Sequence, residues 1–417
     1  MSNQTPTRIR VVSVLGTRPE AVKLIPIIRE IERECLIDSR LVLTGQHGQL
    51  VEQILEPLGI KTADRLDVVR ANDSLAELLA NTILSVDKLY ERLAPDMVIV
   101  QGDTTSAFAA AVTAFYRRIP IAHVEAGLRS YDRFHPYPEE ANRRMISGIA
   151  DLHLAPTMSA ADNLVREGIP RSSIVVTGNT AVDSLLIALR HCESTGDVSF
   201  SEKGLTKPLV LITLHRRESW GATRAKETPL HEMLGSLAAV ARRRPDVRFV
   251  YPVHPNPQVR RPAEALLGGL PNVRLLAPLP YVPFVRLMAS CTCIVTDSGG
   301  IQEEAPSLGV PVLVLRETTE RPEAVQEGMN RVVGMSGTAI QEELDALLDK
   351  SHCQPQQVPC QNPYGDGRAA ARVVKAVLHF HGLGDAPEEF VNGEPAEPAC
   401  KLDNGSCVSG EPSHPVR

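Results

Sequence analysis

The sequence predicts an α/β protein built from two doubly wound, Rossmann-like domains with a cleft between them. Three observations carry this prediction. Short β-branched runs alternate with helical patterns, as in a parallel sheet covered on both faces. The rhythm stops at a polar stretch near 193–207 and then restarts. The conspicuous polar residues, among them Arg18, Asp103, Glu125, His215, His254 and Ser298, stand at or just after strand ends, where open parallel sheets bind ligands.

In the first series the strand runs are RVVSVLG (10–16), RLVLTG (40–45), DMVIVQG (96–102), IPIAHVEAG (119–127), LHLAP (152–156) and SIVVTGN (173–179). Between them PEAVKLIPIIREIERE and TSAFAAAVTAFYRR space their apolar residues three and four apart, the period of a helix. The second series is PLVLITLH (208–215), VRFVYPVHP (247–255), VRLLAPL (273–279), CIVTDSGG (293–300) and VPVLVLR (310–316). We divide the chain at 8–180, 181–365 and 366–382. The Pro-, Gly- and acid-rich remainder, 383–417, reads as a disordered tail.

Composition narrows the function. Lys plus Arg total 44 against 50 Asp plus Glu, a net charge of −6, which disfavours general nucleic-acid binding. No apolar run approaches the roughly 20 residues that span a bilayer, and the polar N-terminus lacks a signal-peptide core, so a cytoplasmic location is expected. Eight Cys form no CxxC pair. Cys291 and Cys293, on one face of a strand by alternation, read as buried thiols in a reducing compartment.

The second domain offers cationic and phosphate-binding features. In TDSGGIQEEAPSLG (296–309) a strand runs into Gly299 and Gly300 and then a helix, whose free N–H groups and partial positive charge suit a diphosphate. Ser298 adds a hydroxyl there, and Glu304, one turn on, suits a ribose or else faces solvent. The loop is neither a Walker A motif nor a GxGxxG fingerprint, so neither ATP hydrolysis nor NAD binding gains support. Arg316 and Arg321 in RETTERPE match phosphate oxygens, with surface pairing to Glu317 or Glu320 as the alternative. His215 in HRRES, and His254 with Asn256 in HPN, begin at strand ends.

The first domain carries the acids. Asp103 in GDTTS suits an N-cap as well as a site. Glu125 ends an apolar run, where burial would raise its pKa toward proton transfer. Glu139 and Arg143 share a helix face in PEEANRR, and Arg18 and Lys23 in GTRPEAVK offer a pocket for negative charge. His123 and Glu125 lack a third metal ligand at suitable spacing, so no metal or cofactor is expected.

GTRPEAVK, GDTTS, HVEAGLRS, PEEANRR, HRRES, HPN, TDSGGIQEEAPSLG, RETTERPEAV and NPYGDG occur in an order that resembles the non-hydrolysing UDP-N-acetylglucosamine 2-epimerases, over residues 9–382. The resemblance implies a GT-B-like fold, a C-terminal helix crossing back to the first domain and a homodimer. It implies UDP against the second domain, with phosphate at Ser298 and Gly299, ribose at Glu304 and diphosphate at His215 and Arg321. Arg18 and Lys23 would reach across the cleft. Asp103, Glu125 and Glu139 would form the acid–base group beside Arg143. One departure stands out: in TGQHGQLVEQIL, Gly48 replaces the family's usual Arg, although Gln46, His47 and Gln49 of a possible activator site remain.

The chemistry explains the need for such a set. The C2 proton of the sugar is not acidic until UDP begins to leave C1. Cations must therefore stabilise the departing diphosphate, and carboxylates must move protons at C2. The expected reaction is reversible conversion of UDP-GlcNAc to UDP-ManNAc through 2-acetamidoglucal. The alternatives are a hydrolysing 2-epimerase, a 2-epimerase of a modified UDP-sugar, a glycosyltransferase on the same architecture and a UDP-sugar sensor. The last two give no reason for three acids together.

Overall fold

The structure, a computed structural model, describes residues 8–45, 48–56, 59–60, 64–66, 68, 74–195, 207–216, 219, 228–353 and 362–392. Two parallel sheets organise them. The first contains β1 (Ile9–Leu15), β2 (Ile37–Leu43), β3 (Asp64–Arg65), β4 (Met97–Gln101), β5 (Ile121–Val124), β6 (Leu152–Ala155) and β7 (Ile174–Val176), in the order β3-β2-β1-β4-β5-β6-β7. The second contains β8 (Leu209–Thr213), β9 (Arg248–Pro252), β10 (Val273–Leu276), β11 (Cys293–Thr296), β12 (Val312–Val314) and β13 (Asn330–Val332), in the order β10-β9-β8-β11-β12-β13. The doubly wound α/β class is therefore as expected. The sequence reading missed β3 and β13, which are too short to leave an apolar run.

Strand alternation explains the layering. Val12, Val14, Val98 and Val100 face the helices Leu75–Leu93 and Thr105–Tyr116, while Val11, Leu15, Met97 and Ile99 face the helix Arg18–Arg33. In the second sheet Val210, Ile212, Cys293 and Val295 pack under Pro229–Arg243 and Gly337–Cys353. Leu211, Ile294 and Val312 instead join the cluster that includes Leu24, Ile28 and Val285. That cluster is continuous between the lobes, through Leu185 and Ala188 of the helix Thr180–Thr195, which packs on both Arg18–Arg33 and Tyr281–Ala289. Cys291 departs from expectation: it precedes β11, donates its thiol to Leu287 O at 3.0 Å, and packs against a different cluster from Cys293. No helix among the described residues is long and apolar enough to cross a membrane.

Chain crossing is fastened by NPYGDG. Asn362 donates its amide to Glu303 O and to the Ser307 hydroxyl, both at 2.7 Å, and the Tyr364 hydroxyl donates to Arg321 O at 3.0 Å. The final helix, Ala369–Phe380, starts with its Ala369 and Ala370 N–H groups on the Asp183 carboxylate and lies against Arg18–Arg33. Arg372 grips Asp366 with two 2.7 Å bonds.

The segment expected to be disordered from residue 383 begins otherwise. The N–H of Phe390 donates to Val176 O at 2.8 Å, covering part of the edge strand β7, and the ring is buried with Ala126, Ala155 and Leu164. Glu389 accepts from Val176 N at 3.1 Å and pairs with Arg171. One aromatic anchor outweighs a composition that lacks periodicity. Residues 393–417 lie outside the described set. Phe390→Ala should therefore cost about 3 kcal/mol in urea unfolding, the usual range for a buried Phe. A loss below about 0.5 kcal/mol would be the value for an uninvolved surface position.

Candidate active site

The candidate site lies where the strand order of each parallel sheet reverses. In the first, β1 and β4 diverge at the switch point and deliver Arg18 and Asp103; β5 adds Glu125. In the second, β8 and β11 deliver His215 and Ser298. Glu125 follows β5 with φ 64°, a left-handed conformation that non-glycine residues rarely adopt and that strains the backbone where a side chain must be aimed. Its carboxylate receives hydrogen bonds from Lys23 Nζ and from the Gln101 amide.

Lys23 reaches both lobes. It pairs with Glu125 on one side and lies 3.0 Å from Glu303 on the other. Burial would lower the Lys23 pKa, but the two carboxylates outweigh it and hold it above its ordinary value. Glu303 is nearly inaccessible; burial raises its pKa, yet Arg321 and Lys23 pull it below the usual carboxyl value. Glu125 goes the other way. Burial, reinforced by Glu303, lifts it in spite of Lys23. Neighbouring acids are thus pushed apart, one kept ionised and one suited to carrying a proton. Lys23 is accordingly an interlobe tie rather than an open anion pocket.

Asp103 and Glu139 form a second acidic pair. Arg143 donates to the Asp103 carboxylate, and the Asn142 amide donates to Asp103 O at 2.9 Å. Burial first, then Asp103, raises the pKa of Glu139, whose Oε2 is buried without a hydrogen-bond partner among the described residues. His123 Nε2 lies 2.8 Å from Gly102 O; burial lowers its pKa to about 3, so the ring is neutral and donates there. The acids therefore divide into an Asp103–Glu139–Arg143 group and a Glu125–Lys23–Glu303 group, both within electrostatic reach of Arg321.

The facing wall is cationic and held by buried acids. Arg321 donates through Nε to Glu303 at 2.6 Å and lies 2.7 Å from Glu320. Its guanidinium occupies the space beside Gly299, where a Cβ would sit 2.6 Å from Cζ, so that glycine is required by close approach. Glu320 also binds Arg316 at 2.7 Å, and the arginines hold its pKa well below the carboxyl range against the effect of burial. Ser298 and Gly299 begin the six-residue helix Gly299–Glu304, with Gly300 on its first turn; the Ser298 side chain makes no capping bond. Glu304 is buried, accepts from the Tyr281 hydroxyl at 3.0 Å, and is raised by burial to about 7. Arg18 reaches across to donate to Leu279 O at 3.1 Å near Glu304.

His215 is half exposed. Its backbone N–H and that of Arg216 donate to the fully buried Asp297 at 3.0 Å, and its Nδ1 lies 3.4 Å from Asp297 Oδ1. His254 stacks on His215 with centroids 6.2 Å apart; burial, then His215, lowers its pKa. The Asn256 carboxamide oxygen caps the helix Pro257–Leu267 by accepting from Gln258 N at 2.9 Å. Gln49 falls in the helix Gly48–Leu55, while Gln46 and His47 lie outside the described residues. A cavity of about 450 Å³ opens between the lobes, lined by Arg129, Ser130 and Pro136 on one side and Arg216, Arg316 and Thr318 on the other; Asp103, Glu125 and Glu139 are not in its lining.

Sequence reasoning passed over Glu303, Asp297, Gln101 and Tyr281. Glu303 stands beside Glu304, and Asp297 ends the same strand as Ser298, but nothing local distinguishes a buried acid from a solvated one. Its partner lies far away in the chain.

Known proteins match nearly the whole length of this chain. The family model described as UDP-N-acetylglucosamine 2-epimerase matches residues 29–378. The Bacillus subtilis UDP-N-acetylglucosamine 2-epimerase is 41% identical over 384 residues, 92% of this chain and 99% of that protein. The crystal structure of the Neisseria meningitidis UDP-GlcNAc 2-epimerase bound to UDP-GlcNAc superposes with a TM-score of 0.84 at 41% identity, covering 89% of this chain and all of that one. A glycotransferase of kitacinnamycin, at 14% identity and a TM-score of 0.54 over 91% of this chain and all of that one, shares the fold alone. Two doubly wound lobes, acids on one and a glycine–arginine cradle on the other, and similarity over nearly the whole length together place this chain in the UDP-N-acetylglucosamine 2-epimerase family.

Proposed function

We propose that this protein interconverts UDP-GlcNAc and UDP-ManNAc by reversible inversion at C2. The observation that carries the reading is the division of charge across the cleft: carboxylates with raised pKa on the first lobe face a buried arginine cradle on the second. UDP would lie at Ser298, Gly299 and Gly300, with Glu304 toward the ribose and Arg321, Arg18 and His215 toward the diphosphate. His254 and Asn256 would border it.

In the forward direction the C1–O bond breaks and its electron pair leaves with UDP, each well-placed donor contributing about 3 kcal/mol. A carboxylate takes the C2 proton, and the C–H electron pair becomes the C1=C2 double bond of 2-acetamidoglucal. A proton then returns to the opposite face of C2, and UDP re-adds at C1. Glu125 on one side, and Asp103 with Glu139 near Arg143 on the other, supply the two proton positions. A hydrolysing outcome would instead release free ManNAc. The reading includes a homodimer: Leu84, Phe115 and Tyr116 leave an exposed apolar surface on two helices that pack together.

An NMR time course with UDP-GlcNAc in deuterated water should show UDP-ManNAc forming with deuterium at C2. Product retaining the original C2 hydrogen would exclude this mechanism. Glu125→Gln should lower kcat by roughly 10²- to 10⁴-fold, the usual contribution of a general base, while UDP still binds. Because burial raises Glu125 and Glu139, the base picks up a proton earlier as pH falls. The acidic limb of kcat/KM should then lie above 4.5, the ordinary glutamate value. A limb at or below that value would mean that burial does not tune the base. Sedimentation should give twice 45.4 kDa, and Tyr116→Glu should shift the population toward 45.4 kDa; an unshifted mass would put the interface elsewhere.

A further inference from the structure

Glu20 lies below the cleft and is 1% exposed. Its carboxylate receives three hydrogen bonds from two separate loops. Oε2 accepts from the N–H groups of Gly16 at 3.0 Å and Thr17 at 2.6 Å, and Oε1 accepts from the Thr104 hydroxyl at 2.7 Å. Capping the helix Arg18–Arg33 requires only the Thr17 bond; the Thr104 bond is additional. Thr17 precedes Arg18, and Thr104 follows Asp103. The two loops leave adjacent strands, β1 and β4, at the switch point. They also dock tightly, since a Cβ on Gly16 would meet Ser106 Oγ at 2.4 Å. Burial lifts the Glu20 pKa to about 7, while the three donors favour the ionised form.

We propose that Glu20 is a positioning residue that sets the spacing between the Arg18 turn and the Asp103 loop. It thereby aligns a diphosphate contact with an acid–base group, although it touches no substrate itself. This rests on the UDP-sugar epimerase reading above. Three sides of the Asp103 loop support it: His123 holds Gly102 O, Asn142 holds Asp103 O, and Glu20 holds the Thr104 side chain. Of these three, only Glu20 also holds the Arg18 turn.

The test compares Glu20→Ala, Thr104→Val and Thr104→Ser in the full-length protein, each assayed well below its own melting temperature. Alanine at position 20 removes all three acceptor bonds, and valine deletes the Thr104 link together with its cap on the following helix; serine keeps both. Thr104→Val should lower kcat and C2–H exchange by about tenfold or more with KM unchanged, as expected when reacting groups are slightly misplaced. Its UDP affinity, measured by calorimetry, should stay near wild type. Glu20→Ala should lose the same rate and also bind UDP about fivefold more weakly, because the Arg18 turn is released. Thr104→Ser should restore the wild-type rate. A purely structural role predicts lower melting temperatures with kcat per folded enzyme unchanged, and that result overturns the proposal. If the wild-type enzyme exchanges no C2–H, the epimerase reading falls. The UDP titrations then decide on Glu20 alone: weaker binding by Glu20→Ala but not by Thr104→Val upholds its hold on the Arg18 turn, and unchanged affinity overturns it.

Discussion

A single buried ammonium, Lys23, is shared between Glu125 of one lobe and Glu303 of the other, and the rest of the site depends on that sharing. An isolated charge at this depth would be prohibitively unfavourable, so each member must be compensated by the others. Glu303 takes most of the compensation because Arg321 also reaches it, which leaves Glu125 relatively proton-loving. The arrangement is a poor source of net stability, since buried ion pairs roughly offset their own desolvation. It is a good source of definition. The acid of the first lobe and Arg321 of the second are held in one electrostatic unit, so the spacing between the lobes and the protonation of the acid are not independent.

The same economy of charge recurs around this unit. Arg321 lies between Glu303 and Glu320, Arg143 between Asp103 and Glu140, and His215 rests on Asp297. Arg321, Arg143 and His215 are each anchored by an acid that has no access to solvent or nearly none. Such anchoring limits side-chain reorganisation when negative charge develops, which is where electrostatic preorganisation gains its effect. The lobes also share one apolar cluster through the helix Thr180–Thr195, and the NPYGDG turn stitches that region to Glu303 and Arg321. Loop chemistry and the crossing of the chain are therefore mechanically connected.

The alternation of apolar runs and helical spacing was sufficient for the two doubly wound sheets, because burial on both faces leaves a signature within each segment. Glycine pairs and polar residues after those runs marked Arg18, Asp103, Glu125, His215 and Ser298, because the carboxyl ends of parallel strands are local features. The order of nine motifs added the family. Two short strands and the anchoring of Phe390 left no comparable trace; a strand of two residues has no period, and one aromatic in an acidic segment carries none either.

The sequence by itself thus determined the longer strands and helices, the doubly wound class and which residue types stand at the carboxyl ends of the strands. Only the tertiary structure decided that Lys23 ties two lobes instead of waiting for an anion, that Glu303 and Asp297 are buried supports, and that Glu20 spans two loops. These roles depend on pairings across dozens to hundreds of residues, and on desolvation, which belongs to a position in space and has no local signature in the chain.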